Sequence, residues 1–360
     1  MKKIQIITIM LFFIIFAVPV LSFNIKQEQI SEIDNRTLAE LPELSEWEER
    51  EWTAYFEDRV GFRNEMIKVY TIMNDSIFDV MVHPTYQYGE DGYVFFRVQQ
   101  ETVNKEYLEK YAEFLLQMQE DCEEQGIVFQ YWLNPSKSAV YDEYLPKGVN
   151  LRHEHIVYLL SLLDEKHISY THSLERLREY KKVEQVYNKQ YDAGHWNDTG
   201  AFRAFQGLYI DLIEKGVYIE NIEIDNYEFE EQHFTMLPVS FFPIEDSAIK
   251  FIPKINDALW IEEYENPIEM HPTFHTFAHY QNPAQVDRPR VLVFRGSYLN
   301  EGRSKFLLEQ FSEVTIVHNY HNVQKYQEYI NLLEPDVVIF ECADYVINES
   351  YFPLEPSGIQ

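Results

Sequence analysis

Cysteine is scarce. The 360-residue chain holds only Cys122 and Cys342, which excludes a disulfide framework and any four-cysteine metal site. Positive charge is short as well: 30 Lys and Arg face 60 Asp and Glu, for a net charge of −30. A surface that acidic repels phosphate backbones and argues against nucleic acid as a partner, and it is not drawn to anionic lipid. There is no internal repeat and no low-complexity tract. After residue 23 no stretch is long and apolar enough for another membrane span. Hydrophobic residues at 46% and charged residues at 25% lie near the globular average, so wholesale disorder is excluded too. The length allows one large domain or two ordinary ones, at roughly 100–200 residues each.

Aromatic residues are plentiful, with 26 Tyr and 25 Phe. Such rings line sugar-binding surfaces or fill a Tyr-rich core, and the core is the simpler reading. At the N-terminus, Lys2 and Lys3 precede an apolar run from Ile4 to Phe23 broken only by Gln5, Thr8, Pro19 and Ser22. A helix of about 20 apolar residues crosses a hydrocarbon core, and the lysines keep its short end in the cytoplasm. A cleaved signal peptide fits as well, with Val20-Leu21-Ser22 a tolerable cleavage site. Both readings put the body outside the cytoplasm, where Cys122 and Cys342 could pair, although their spacing decides nothing.

Residues 24–88 read as a membrane-proximal helical segment. It is turn-rich from Ser31 to Leu38 and at Leu41-Pro42, then helical from Trp47 to Ile77 with Trp52, Tyr55, Phe56 and Val60 on one face. Residues 89–360 read as one α/β domain. Gly89 to Gly92 forms a tight turn into a strand at Tyr93 to Phe96. Residues 101–124 place Val103, Tyr107, Tyr111, Phe114, Leu115 and Met118 at helical spacing, and Gly126 stops that helix. Ile127 to Leu133 is a buried parallel strand by its nearly continuous apolar run. A helix at 152–165, a strand near Ile168 to Thr171 and a helix at 199–215 follow. Residues 216–285 lose the period and read as an irregular insertion. The alternation resumes with strands at Arg290 to Phe294, Val314 to Val317 and Val337 to Phe340, and helices at 303–311 and 322–333. Alternating strands and helices imply βαβ units, hence a parallel sheet with helices on both faces.

Two loops carry candidate chemistry. In Tyr191-Asp192-Ala193-Gly194-His195-Trp196-Asn197-Asp198-Thr199-Gly200, an Asp three residues before a His can orient one imidazole nitrogen and leave the other as a general base. The competing reading is a polar loop with a structural His. Thr199 or Asp198 is expected to cap the helix that follows. The second loop ends the strand Val291-Leu292-Val293-Phe294 with Arg295-Gly296-Ser297-Tyr298-Leu299. Open α/β sheets hold ligands at this edge, and N–H groups at the start of a following helix would stabilise an oxyanion. A plain Gly-Ser turn is the alternative. Together Ser297, His195 and Asp192 supply a nucleophile, a base and an orienter. Glu341, at the end of another strand, is a candidate to bond a ligand or a neighbouring loop.

Strand-Gly-Ser-helix, a later Pro335-Asp336-Val337-Val338-Ile339 strand and Asp-x-x-His resemble the SGNH/GDSL hydrolase superfamily. The usual member places its serine first and Asp-x-x-His last. Here the order is reversed, as it is in the alginate O-acetyltransferase-like branch and the related DHHW proteins. Further stretches similar to that branch are Asp34-Asn35-Arg36-Thr37-Leu38-Ala39-Glu40-Leu41-Pro42, Phe56 to Arg63, Gly89 to Phe95, and Asn134-Pro135-Ser136-Lys137-Ser138-Ala139-Val140-Tyr141. The resemblance implies an SGNH-hydrolase-like parallel sheet flanked by helices, with permuted motif order and an N-terminal membrane anchor. It implies O-acetylation or deacetylation of a cell-surface or secreted polysaccharide, with Ser297 as nucleophile, His195 as base and Asp192 as its orienter. No cofactor is expected, and acetyl groups would come from a membrane-bound O-acyltransferase partner. The superfamily's Gly-x-Asn-Asp oxyanion block reads Glu341-Cys342-Ala343-Asp344 here. Asn134, Arg295, Gly296, Tyr298, Trp196 and Glu341 are therefore the oxyanion or substrate candidates.

Two rival readings remain. His271, His275 and His279 lie four apart and would share one helix face as a metal site, although Pro272 interrupts such a helix and no metal is expected. A catalytically silent glycan-binding or assembly protein could also use this fold, since fold alone does not establish activity.

Overall fold

A computed structural model describes residues 2–24, 31, 38–42, 48–83, 85–97, 103–238, 242–261, 264–300 and 302–354. Residues 32–37 of the expected turn-rich stretch, Trp47 and residues 101–102 lie outside these.

Helix α1 (Lys2–Leu21) is the apolar N-terminal run, long and apolar enough to cross a membrane and buried nowhere against the rest of the protein. The single helix expected over 47–77 is instead two, α2 (Glu49–Arg59) and α3 (Arg63–Phe78). The break has a steric cause. The Gly61 N–H donates to Pro19 O at 3.0 Å, and a Cβ on Gly61 would sit 2.0 Å from the Ser22 hydroxyl. Phe62 then takes a left-handed backbone, φ 60°, which a continuous helix does not allow.

A hairpin follows, β1 (Tyr86–Tyr88) against β2 (Val94–Phe96). Helix α4 (Lys105–Glu124) is capped by Asn104, whose side chain accepts from Tyr107 N. It ends at Gly126, φ +71°, in the left-handed conformation that favours glycine. Next come β3 (Val128–Asn134), α5 (Lys137–Val140), α6 (Glu154–Glu165), β4 (Tyr170–His172), α7 (Leu174–Tyr180) and α8 (Asp198–Glu214). The cap of α8 is Asn197, whose Oδ1 accepts from Gly200 N at 2.9 Å, rather than Thr199 or Asp198. Asp198 is engaged elsewhere, with Phe251 N and the Lys305 ammonium.

The segment 216–285 is more regular than its sequence suggests. It holds an antiparallel ribbon, β5 (Tyr227–Met236) with β6 (Pro243–Pro253), and a second antiparallel pair, β7 (Leu259–Trp260) with β8 (Phe277–Gln281). The chain closes with β9 (Arg290–Arg295), α9 (Lys305–Leu308), β10 (Glu313–His318), α10 (Tyr326–Leu333) and β11 (Val337–Ala343). Only four residues of the expected 303–311 helix are α-helical, and 322–325 is a 3-10 turn ahead of α10.

The main sheet has the order β4-β3-β11-β9-β10-β8-β7. The pairs from β4 to β10 are parallel, and β8 and β7 join antiparallel at one edge. Strands β3, β9, β10 and β11 are nearly continuous apolar runs because helices cover both of their faces. Many tyrosines belong to this core, among them the fully buried Tyr111, Tyr131, Tyr187, Tyr209, Tyr298 and Tyr329. A smaller cluster of Met81, Tyr86, Val94, Ala193, Leu237, Phe242 and Ile244 ties the β1–β2 hairpin to the base of the ribbon. Cys122 and Cys342 are both buried and unpaired.

Candidate active site

Three neighbouring strands end together. β3 stops at Asn134, β9 at Arg295 and β11 at Ala343, and β11 lies between the other two. The chain winds outward in opposite directions from this place, β3 to β4 on one side and β9 to β10 on the other. Such a switch point opens a crevice at the carboxyl ends of the strands.

Ser297 stands in that crevice, two residues beyond the end of β9, on a 3-10 turn from Ser297 to Leu299. The helix that follows, expected over 303–311, is α9, and it begins at Lys305, so its first N–H groups are not next to Ser297 in the chain. His195 reaches Ser297 from the loop before α8. Its Nε2 lies 2.8 Å from Ser297 Oγ, and its Nδ1 lies 2.8 Å from Asp192 Oδ1. The same carboxylate oxygen accepts the N–H groups of His195 at 3.0 Å and Gly194 at 3.3 Å. Asp192 has φ 54°, a left-handed conformation that Asp tolerates better than most residues, here through bonds to its own backbone. Burial alone would raise the Asp192 carboxyl, but the His195 imidazole, with Arg303 nearby, holds it down to about 2. With Nδ1 pointed at an ionised carboxylate, the ring presents Nε2 to the serine as an acceptor.

Glu341 governs the turn that carries the serine. Its carboxylate takes Gly296 N–H at 2.5 Å and Asn134 Nδ2 at 3.1 Å. Burial lifts its carboxyl to about 7, against the pull of those two bonds. Gly296 has little room for a side chain, since a Cβ would lie 3.1 Å from Glu341 Oε2 and 3.3 Å from Asn319 Nδ2, and both side chains would have to give way. Asn134 is fully buried, and its Oδ1 accepts from Ser173. Asn134 and the Gly296 N–H are thus occupied by protein partners.

The remaining sequence candidates divide by position. Tyr298 is fully buried, and its hydroxyl is 2.8 Å from both Pro135 O and Gly194 O. Trp196 is fully buried, with its indole N–H on Tyr298 O. Both brace the histidine loop from behind. Arg295 touches Gly296 O and lines an open cleft.

Four neighbours were not among the sequence candidates. The Tyr345 hydroxyl lies 3.2 Å from His195 Nε2 and also reaches Ser297. Its position directly after Asp344, the end of the atypical oxyanion block, was the available clue. Lys137 is fully buried, donating to Val94 O at 2.7 Å and Lys189 O at 3.0 Å. Burial lowers its amine to about 7, with Asp192 and Asp246 acting the other way. Asp246, on β6, accepts the N–H groups of Gln190 and Tyr191 at 2.6 and 2.9 Å. Arg303 donates to Trp196 O at 2.5 Å.

Two cavities flank the triad. One, about 630 Å³, is lined by Ser136, His153, His155, Gly194, Asp344 and Tyr345 among others. The other, about 620 Å³, lies on the far side of Asp192 and is lined by Tyr191, Lys250, Arg295, Arg303 and Lys305. The three histidines at four-residue spacing do not share a helix. His279 is on β8 and bonds Thr315, His275 bonds Pro272 O, and His271 stacks on His321. Among the described residues no group of three or more His, Cys, Asp or Glu is placed to hold a metal.

No family model matches the sequence, and no curated protein matches it either. Solved structures do match in fold. PatB1 of Bacillus cereus, solved with a sulfonyl adduct, is similar over 75% of this chain and 97% of its own, at 17% identity and a TM-score of 0.60. The O-acetyltransferase domain of Pseudomonas putida AlgJ is similar over 76% of this chain and 96% of its own, at 17% identity and TM-score 0.52. A DHHW family protein from Eubacterium siraeum is similar over 75% and 94%, at 14% identity and TM-score 0.52. The chain therefore shares the fold of PatB1, of the AlgJ O-acetyltransferase domain and of that DHHW family protein, a mostly parallel sheet flanked by helices.

Proposed function

We propose that this chain is an extracytoplasmic serine-dependent O-acetyltransferase, or acetylesterase, acting on a cell-surface or secreted polysaccharide. The observation that carries the reading is the unbroken hydrogen-bond relay Ser297–His195–Asp192 at the sheet's switch point. In this reading His195 Nε2 takes the Ser297 proton as Oγ attacks the acetyl carbonyl. The Asp192 carboxylate stabilises the imidazolium, which returns the proton to the leaving group. A sugar hydroxyl then gives its proton to Nε2 and attacks the acetyl carbonyl; the bond to Ser297 Oγ breaks and Nε2 returns the proton to that oxygen, while water in place of the sugar would make the reaction hydrolysis. The Ser297 N–H and the Tyr345 hydroxyl are the proposed oxyanion donors, since Asn134 and the Gly296 N–H are engaged by Glu341. The fold shared with an O-acetyltransferase domain supports the same reaction class. Helix α1 would anchor the body outside the cytoplasm, or be cleaved as a signal. Acetyl groups would arrive from a membrane-bound O-acyltransferase.

Glu341 motivates a second reading, a silent glycan-binding or assembly protein, because it stands in the oxyanion block and occupies donors an oxyanion would use. Arylacetate hydrolysis by the full-length chain in detergent separates the two. We expect Ser297→Ala and His195→Ala each to lower the rate at least about a hundredfold. An arylsulfonyl fluoride should add one sulfonyl group to Ser297, visible by mass, and none to Ser297→Ala. Equal background rates in all three proteins would leave only the binding reading.

A further inference from the structure

Helix α3 carries an apolar face that the protein itself does not cover. Met66, Val69, Tyr70, Met73 and Ile77 are all exposed, and their spacing forms a stripe roughly 100° wide. Exposed Phe62 extends the stripe at its start. Glu65 and Ser76 border it on one side, Arg63 and Asn74 on the other. The opposite face holds the helix to the body: Thr71 is buried, Ile72 packs on the Met81–Tyr86–Val94 cluster, and Asp75 accepts the Tyr88 hydroxyl at 2.5 Å. The stripe therefore points away from the folded domain.

Its start is tied to the end of α1. Gly61 N–H bonds Pro19 O, and Asn24 N–H bonds Arg59 O at 2.8 Å. The Phe23 ring packs on Phe56 and Tyr55, at 5.7 and 6.1 Å between centroids. α3 thus begins within hydrogen-bond reach of the point where an anchoring α1 leaves the hydrocarbon. An apolar stripe that starts there, faces away from the body and continues from exposed Phe56 and Phe62 meets lipid before anything else.

We propose that α3 lies on the outer face of the bilayer with this stripe immersed among the acyl chains, as a second membrane contact beside α1. The proposal rests on α1 being a membrane anchor and is independent of the chemistry at Ser297. A net charge of −30 gives no attraction to anionic headgroups, so the contact depends on apolar burial and needs no charged lipid. Two contacts set apart along the membrane also fix the tilt of the body, which a single anchor helix does not.

The test uses the full-length chain with single cysteines at Met66, Val69, Met73 or Ile77, and controls at Lys68 and at exposed Val183. Native Cys122 and Cys342 are buried, which raises both thiols, Cys122 to about 12, and keeps them unreactive. Each new cysteine carries a nitrobenzoxadiazole dye, and the protein is reconstituted in phosphatidylcholine vesicles with or without nitroxide-bearing lipid. We expect nitroxide to cut emission at least twofold at the four stripe positions and to leave Lys68 and Val183 unchanged. Vesicle-bound protein whose stripe probes behave like the Val183 probe overturns the proposal and points to a protein, such as a second copy, on that face. A chain that does not float with vesicles overturns it together with the anchor. Esterase rate measured in the same vesicles keeps failure of the catalytic reading distinct from failure of this one.

Discussion

The carboxylate of Asp192 both orients the His195 imidazole and holds the loop that carries it. Asp192→Asn keeps the shape and removes the charge. We expect the esterase rate at neutral pH to fall by roughly a thousandfold, because the amide no longer stabilises the imidazolium. Stability follows with a definite sign. A carboxyl held at about 2 against an ordinary 3.8 stabilises the fold above pH 4, by about 2 kcal/mol. That stabilisation is lost as pH falls from about 4 toward 2. Urea unfolding of wild type and variant should therefore differ at pH 7 and converge near pH 2. A gap that stays constant over that range would mean the charge contributes nothing to folding. The triad residues were legible in sequence because each sits in a short motif at a strand end or helix start. Tyr345 and Lys137 were not. Their roles come from contacts with Ser297, His195, Val94 and Lys189, all distant in the chain.

At the scale of elements, alternation gave the parallel sheet, because strands covered on both faces must be apolar along their whole length. The β5–β6 ribbon was hidden for the opposite reason. β5, Tyr227 to Met236, is exposed along nearly all of its length, so no period-two pattern marks it as a strand. The ribbon matters to the site nonetheless. Asp246 on β6 takes the N–H groups of Gln190 and Tyr191, and Tyr191 stacks on Phe234 of β5 at 3.7 Å. The apparent insertion is thus a clamp on the histidine loop. Asp246→Ala removes two charge-assisted bonds, a loss of about 2 kcal/mol, confined to that loop. We expect the esterase rate constant to fall at least tenfold with KM nearly unchanged, and hydrogen exchange at 187–196 to quicken while β3 and β11 stay protected. Unchanged exchange in the loop would show that the ribbon does not hold it. The α2–α3 break was hidden differently: it exists because the end of α1 packs against Gly61, a contact between segments that local periodicity does not report.

For the whole molecule, the imbalance of 60 acidic against 30 basic residues weighs on the folded state as self-repulsion. The interior does not escape it: Glu341, Glu309 and Asp344 are carboxyls raised by burial, so folding works against some charges as well as among them. Surface repulsion is long-ranged only at low salt. The screening length falls from about 30 Å at 0.01 M to about 10 Å at 0.1 M, and over that interval most carboxylates on opposite sides of the body stop sensing one another. Sodium chloride is the informative salt, because sulfate or phosphate would also strengthen apolar burial. We therefore expect Tm to rise by several degrees between 10 mM and 150 mM sodium chloride at pH 7.5, and to level off once the screening length is shorter than the spacing of surface charges. A Tm that is flat or falls would mean that local ion pairs such as Arg203–Glu184 and Lys181–Glu143, which salt weakens, outweigh the global excess.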